Sequence, residues 1–340
     1  MASRSGRYRV FILLSIFLII QTGVSTAEGQ QASKPTHLKA VVFPFLALAP
    51  FFIAQEEGYF AEQNLDVEFI KSKENVAFTA LARGELDVWS GMMAIGSLNA
   101  IQRGSHIRFV APRGSFAPDG CPFLAMIARK TLVDSGQLER PAQLKGRNVA
   151  WYRGSVEEYF LDKVIQKDGL TVDDFTRITI PPPADMGAME KGTLDLTVAG
   201  EPWVTRLVRS GRGVLWVPVQ DAIPGFQFSA IMYGPNLLEK NPDAGKRFMV
   251  GYFKGVHQYN QGKTDRNLEI IAKYTRLDKP LLEKACWPQF RNDGRMNIQS
   301  IKDFQDWAVA KGYLDRALPE EAFMDSSFIE HANKVLDKKQ

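Results

Sequence analysis

Soft-metal and thiol chemistry have little to work with in this 340-residue chain, which holds two cysteines and four histidines. His37, His106, His257 and His331 are scattered, and no His/Cys cluster has the spacing of zinc ligands. No resident metal and no cofactor are therefore expected. Low-complexity tracts and long runs of like charge are also missing, which argues against a disordered tail or a polybasic arm. The uncharged apolar run near the start, Val10 to Ile20, is too short to span a bilayer comfortably.

That run has another reading. Arg4, Arg7 and Arg9 precede it, and Ser25-Thr26-Ala27 places small residues three and one before a cut. The arrangement is that of a secretory signal peptide, residues 1–27, cleaved after Ala27; an uncleaved membrane anchor is the alternative. No cysteine follows the apolar core, so a lipid anchor has no attachment atom. The first 27 residues carry three arginines and no acid, so their removal takes the net charge from +4 to +1. A near-neutral chain is a poor nucleic-acid binder. Export permits a disulfide between Cys121 and Cys286. The sequence does not say whether their Cα atoms approach closely enough, and two unpaired, buried thiols are the simpler expectation.

What remains is an ordinary globular composition, 45% hydrophobic and 24% charged, long enough for two lobes. Strand-like runs at 37–43, 65–70, 86–90 and 107–112 alternate with helical stretches. The alternation restarts at 148–152 and continues through 177–180, 194–199 and 214–219. Parallel strands need such crossovers, so the fold class is α/β, with two doubly wound lobes. ALARGELDVWSG (80–91) returns as AMEKGTLDLTVAG (188–200). In each, a glycine ends a helix and Leu-Asp opens a strand. Asp87 and Asp195 are read as structural, because they lie far from the strands' carboxyl ends.

Two runs, 123–128 and 228–233, lack helical partners and serve as hinge strands between the lobes. The expected division is 35–122 plus 231–335 for a discontinuous first lobe and 123–230, with the hinge strands, for the second. Beyond Asn241 the chain reads as helical and packs back on the first lobe. Asn241-Pro242 forms a cap with a first-turn proline, while Ser155/Glu158 and Ser327/Glu330 have capping-box spacing.

Four pieces in order, EGYFAEQNLDVEF, ALARGELDV, LKGRNVAWYRGS with KDGLTVDDF behind it, and AMEKGTLDL with GEPW, resemble the solute-binding proteins of ABC importers for nitrate, sulfonates, taurine and thiamine-pyrimidine precursors, the NMT1/THI5-like family. The resemblance covers most of the chain after the leader. It implies a bilobal type II periplasmic binding protein, a monomer that closes on a small molecule and delivers it to permease and ATPase subunits in the inner membrane.

In open α/β sheets, ligands bind beyond the carboxyl ends of the strands. That rule selects Pro44, Phe45 and Leu46, then Ser90, Gly91 and Met92, then Arg113, Gly114 and Ser115. On the second lobe it selects Tyr152, Arg153, Gly154, Ser155 and Val156, then Glu201 and Trp203. Gly154-Ser155 opens a helix whose free N–H groups suit an anion, and the resemblance puts the relatives' sulfonate or nitrate site here. Glu157 and Glu158 follow at once and repel one. The aromatic residues favour a neutral, zwitterionic or heteroaromatic solute. Glu201 either accepts from a ligand N–H or serves the helix beside Pro202. Enzymes share the scaffold, but the Cys-rich motif of the pyrimidine synthases is missing, and the loop after the first strand lacks the cysteine nucleophile of the desulfinases. No catalytic residue is expected. A sensor subunit for a receptor kinase would need the same clamshell.

Overall fold

The computed structural model describes residue 2 and residues 34–338, apart from 72–73 and 118–119. The expected leader and its cleavage site lie, but for Ala2, outside the described residues.

Ten strands form two sheets of five among the described residues. They are β1 (Thr36–Val41), β2 (Leu65–Ile70), β3 (Val88–Met92), β4 (Arg108–Pro112), β5 (Leu124–Arg129), β6 (Asn148–Ala150), β7 (Thr176–Ile178), β8 (Leu196–Gly200), β9 (Gly213–Pro218) and β10 (Ser229–Tyr233). The first sheet runs β2-β1-β3-β10-β4 and the second β7-β6-β8-β5-β9. In each, the fourth position is filled by a strand antiparallel to both neighbours. These are the two runs expected to join the lobes. Both lie inside a sheet, and β10, grouped by sequence with the second lobe, is an inner strand of the first sheet. The register slips after the third residue of each, at Ile231/Met232 and at Met126/Ile127. The two sheets are thus built alike down to the bulge.

The repeated sequence device has the same geometry twice. Gly84 and Gly192 sit at φ +70° and +74°, where an L side chain is strained. Around them Glu85 and Thr193 donate their N–H groups to the carbonyls five residues back, Ala80 and Ala188, at 2.9 Å each. Asp87 then exchanges a reciprocal pair with Lys39 inside β1: its N–H donates to the Lys39 carbonyl (3.0 Å) and its Oδ2 accepts the Lys39 N–H (2.7 Å). Asp195 does the same with Asn148 of β6, at 2.9 and 2.9 Å. The second carboxylate oxygen is held by Asn236 Nδ2 in one lobe (2.8 Å) and by the Arg129 guanidinium in the other (2.6 Å). Each aspartate therefore stitches the start of one parallel strand to its parallel neighbour.

The carboxyl-terminal helices cover the first lobe only in part. Helix Pro242–Tyr259 lies on helix Ala49–Glu56, with Phe248 and Tyr252 against Phe51 at 5.9 and 5.0 Å between ring centroids. Helix Ile298–Ala310 and the turn after it instead reach helix Val156–Ile165 of the second lobe. Trp307 Nε1 and Lys311 Nζ both donate to Asp162 (3.0 and 2.7 Å), and the Tyr313 hydroxyl donates to Glu158 (2.8 Å). These polar partners, which no hydrophobic period signals, add ties to the second lobe beside the packing on the first.

Two further readings change. Cys121 and Cys286 form a disulfide across 165 residues, with Cα atoms 5.6 Å apart, in place of two separate thiols. The last helix, Ser327–Asp337, takes Ser326 rather than Ser327 as its flanking residue, and the Ser326 Oγ donates to the Glu330 carboxylate in place of accepting a backbone N–H.

Candidate functional site

A cavity of about 100 Å³ lies where the carboxyl ends of the parallel strands of both sheets face each other. From the first lobe it takes Phe43, Phe45 and Ala47 after β1, Met92 at the end of β3, and Arg113 and Phe116 after β4. From the second it takes Glu157 on the helix after β6, and Gly200, Glu201 and Trp203 at the end of β8. Phe123, Leu124 and Phe228 complete the lining.

Those last three could not be found by looking only at carboxyl ends. Strands β5 and β10 run antiparallel to their neighbours, so their first residues arrive at the cleft. The sequence signal was present, since each run was recognised as a crossing between lobes. A chain that crosses at the hinge must enter the next sheet from the cleft side.

Five of the residues selected from sequence line the cavity: Phe45, Met92, Arg113, Glu201 and Trp203. The others lie elsewhere. Pro44 is exposed beside the mouth, whereas Leu46 and Val156 are core residues. Ser90 is fully buried, and its hydroxyl has no hydrogen-bond partner among the described residues. The Trp89 ring covers Gly91, where it occupies the space a Cβ would need. The Gly114 carbonyl accepts from Gln227, and Ser115 pairs with Gln289. Tyr152 and Arg153 are exposed, and the Tyr152 hydroxyl donates to the Ile180 carbonyl at 2.9 Å.

At the start of helix Val156–Ile165 the Gly154 and Glu158 N–H groups are taken by the protein itself. Glu158 Oε2 accepts the Gly154 N–H at 2.6 Å, and Ser155 Oγ accepts the Glu158 N–H at 3.4 Å. The carboxylate reaches one residue further back than an ordinary capping box. The Gly154 carbonyl is also taken, by the Ile95 N–H of the first lobe at 2.9 Å. An anion arriving here meets a carboxylate already seated on a donor it needs.

Glu201 is similarly committed. Its Oε1 accepts from the Thr205 hydroxyl (2.7 Å) and the Cys286 N–H (3.0 Å), and its Oε2 from the Thr205 N–H (3.1 Å). Burial pushes its carboxyl above the ordinary range, against these hydrogen bonds and the nearby Lys263 ammonium. Of the two roles left open by sequence, these contacts fit the one that serves the helix beside Pro202. Arg113 is 3% exposed and carries the cationic charge of the lining. The Trp203 indole N–H is buried and has no partner among the described residues. Such a group costs free energy unless something accepts from it. No cluster of three or more His, Cys, Asp or Glu able to hold a metal forms among the described residues.

Residues 46–261 match the family model described as NMT1/THI5 like. The chain is 23% identical over 282 residues to the nitrate/nitrite binding protein NrtA of Synechococcus elongatus, covering 76% of this chain and 62% of that one. Over 131 residues it is 29% identical to the 4-amino-5-hydroxymethyl-2-methylpyrimidine phosphate synthase of Aspergillus parasiticus, covering 38% of this chain and 35% of that enzyme. Among solved structures, the ligand-binding component of an ABC-type import system from Staphylococcus aureus superposes with a TM-score of 0.72 at 14% identity, covering 87% of this chain and 99% of that one. The two mixed sheets and their helices make the bilobal fold of type II periplasmic binding proteins.

Proposed function

Because the chain belongs to the NMT1/THI5-like family, we propose that it is the solute-binding component of an ABC importer, capturing a small organic molecule between its lobes. The observation that carries this reading is the cavity at the meeting of the two sheets, mostly apolar and aromatic, with Arg113, Glu157, Glu201 and the Trp203 N–H as its polar members. Small-molecule sites have this character: apolar walls and a few placed polar groups. Lobe closure desolvates the aromatic faces and excludes water, and no proton transfer or metal is needed.

The lobes are taken as 35–122 with 231–335, and 123–230. The protein acts as a monomer in the periplasm after cleavage behind Ala27, with a permease and an ATPase as partners. A neutral, zwitterionic or heteroaromatic solute is favoured over a bare oxyanion, because Glu158 already sits at the helix start where an anion would bind. The enzyme reading is disfavoured by the disulfide: neither Cys121 nor Cys286 has a thiol to act as nucleophile.

The test is mass spectrometry of the solute released when natively exported protein is denatured. A stoichiometric small molecule, which rebinds to the refolded protein unchanged, supports capture. Chemical turnover of that molecule overturns it. Amino-terminal sequencing of the same material should begin at Glu28.

A further inference from the structure

One face of the cavity is a row of phenyl rings. Phe116 lies on Phe228 with centroids 4.6 Å apart and planes 8° from parallel, and Phe228 lies on Phe123 at 5.2 Å and 29°. All three rings reach the lining. Phe43 and Phe45, themselves 6.2 Å apart, close the space from the first lobe, and Trp203 closes it from the second. Stacked and tilted rings of this kind gain most from another planar ring, whose edges and faces match their quadrupoles. Size bounds the occupant: an apolar cavity of about 150 Å³ takes a benzene ring, and the one here is smaller, about 100 Å³, with room for one ring at most where it opens beside the 36% exposed Phe45. Charge narrows it again: the lining sets the Arg113 cation against the carboxyl groups of Glu157 and Glu201, and Glu158 sits at the helix start that would seat an oxyanion. The Trp203 indole N–H of the lining is buried and finds no acceptor among the described residues.

Resting on the solute-binding reading, we propose that the solute carries one planar, uncharged aromatic ring, seated against the Phe116–Phe228–Phe123 row, with an acceptor atom directed to the Trp203 N–H, and that bare oxyanions are not taken. The ring also reaches the hinge. Phe123 and Phe228 immediately precede β5 and β10, the strands that carry the chain from one lobe to the other. A solute stacked on them touches both crossings at once, so its binding bears directly on lobe closure.

Four probes test this by calorimetry on the leader-free protein: benzamide, its saturated analogue cyclohexanecarboxamide, nitrate and methanesulfonate. Benzamide should bind about tenfold more tightly than the saturated amide, with no heat from either anion. Phe45→Leu, which removes one facing ring and leaves the row intact, should lower that ratio about two- to fivefold, and an unchanged ratio overturns the seating. Phe45 is partly exposed, so this variant keeps the test open where Phe228→Leu fails to fold. Trp203→Phe, which keeps a ring and removes the N–H, should weaken benzamide about five- to tenfold. Equal or tighter binding of the saturated amide, or tighter binding of either anion, overturns the proposal. Identification of the released solute separates the two levels. An aliphatic solute or an oxyanion sinks the aromatic assignment and leaves solute capture standing. No released solute together with no binding of any probe removes both.

Discussion

The carboxylate of Glu201, at the end of a second-lobe strand, accepts the backbone N–H of Cys286 in the carboxyl-terminal helical region at 3.0 Å. Cys286 is in turn bonded through sulfur to Cys121, which lies on the crossing before β5. The cavity wall, the crossing and the helical region are thus tied at one point. Replacing both cysteines by serine should cost about 2–4 kcal/mol of stability, read as a lower denaturant midpoint, with a steeper slope because the uncrosslinked denatured chain exposes more surface. Solute affinity should fall as well, because Glu201 loses a fixed partner. An unchanged midpoint would show that the tie contributes nothing.

Asp195 is held by Arg129 and by the Asn148 N–H, with both charged side chains mostly buried. Asp195→Ala strands a guanidinium and a backbone donor and should cost about 3–5 kcal/mol. Asp87→Ala, whose partners are an amide and a backbone N–H, should cost about 1–3 kcal/mol. Both should lower the melting temperature and leave solute affinity nearly unchanged in the surviving folded protein. A large affinity loss at full stability would move these aspartates into the binding site.

Stability should also report on Asp185. Its carboxyl is buried on the second lobe, accepts the Thr197 hydroxyl at 2.7 Å, and is pushed up to about 6 by desolvation. The folded protein therefore binds this proton more tightly than the unfolded chain does. The stability that follows is complete below the ordinary carboxylate range and is lost as pH rises through about 6. Asp185→Asn keeps an oxygen for Thr197. It should flatten the decline between about pH 4 and 6 and raise stability at neutral pH by roughly 1–3 kcal/mol. Chemical denaturation at several pH values measures both effects, and parallel curves for the two proteins would refute the assignment.

For the solute itself, Arg113→Ala and Trp203→Ala should each weaken binding about five- to 150-fold, the cost of removing one buried polar partner. Calorimetry with the identified solute decides it. Normal binding by both variants would mean that the site lies elsewhere.

Much of this architecture was legible because it is local. A glycine at a helix end, Leu-Asp after it and an apolar run are adjacent in sequence, and the 80–91 and 188–200 segments build the same joint twice. The cavity was legible only through strand direction. Arg113 and Trp203 follow parallel strands and were found, whereas Phe123 and Phe228 precede antiparallel ones and were missed. Contacts across long separations left little trace. Nothing near Asp162 announces Lys311, and the sequence offers Cys121 and Cys286 as a possible pair without the Cα approach that decides it. Glu158 marks the opposite limit: its helix-capping spacing was visible, but not that it would reach past Ser155 to Gly154.

The strand order of the first sheet has a consequence for the growing polypeptide. Among the described strands β4 pairs only with β10, made more than a hundred residues later, and its one further bridge, Phe109 with Met324, comes later still. Until Ser229–Tyr233 is synthesised, the first sheet has a slot where its fourth strand belongs, and β4 has no place in it. The second sheet draws all five strands from one uninterrupted stretch, 124–218. A chain halted near residue 220 therefore holds every strand of the later lobe and cannot finish the earlier one.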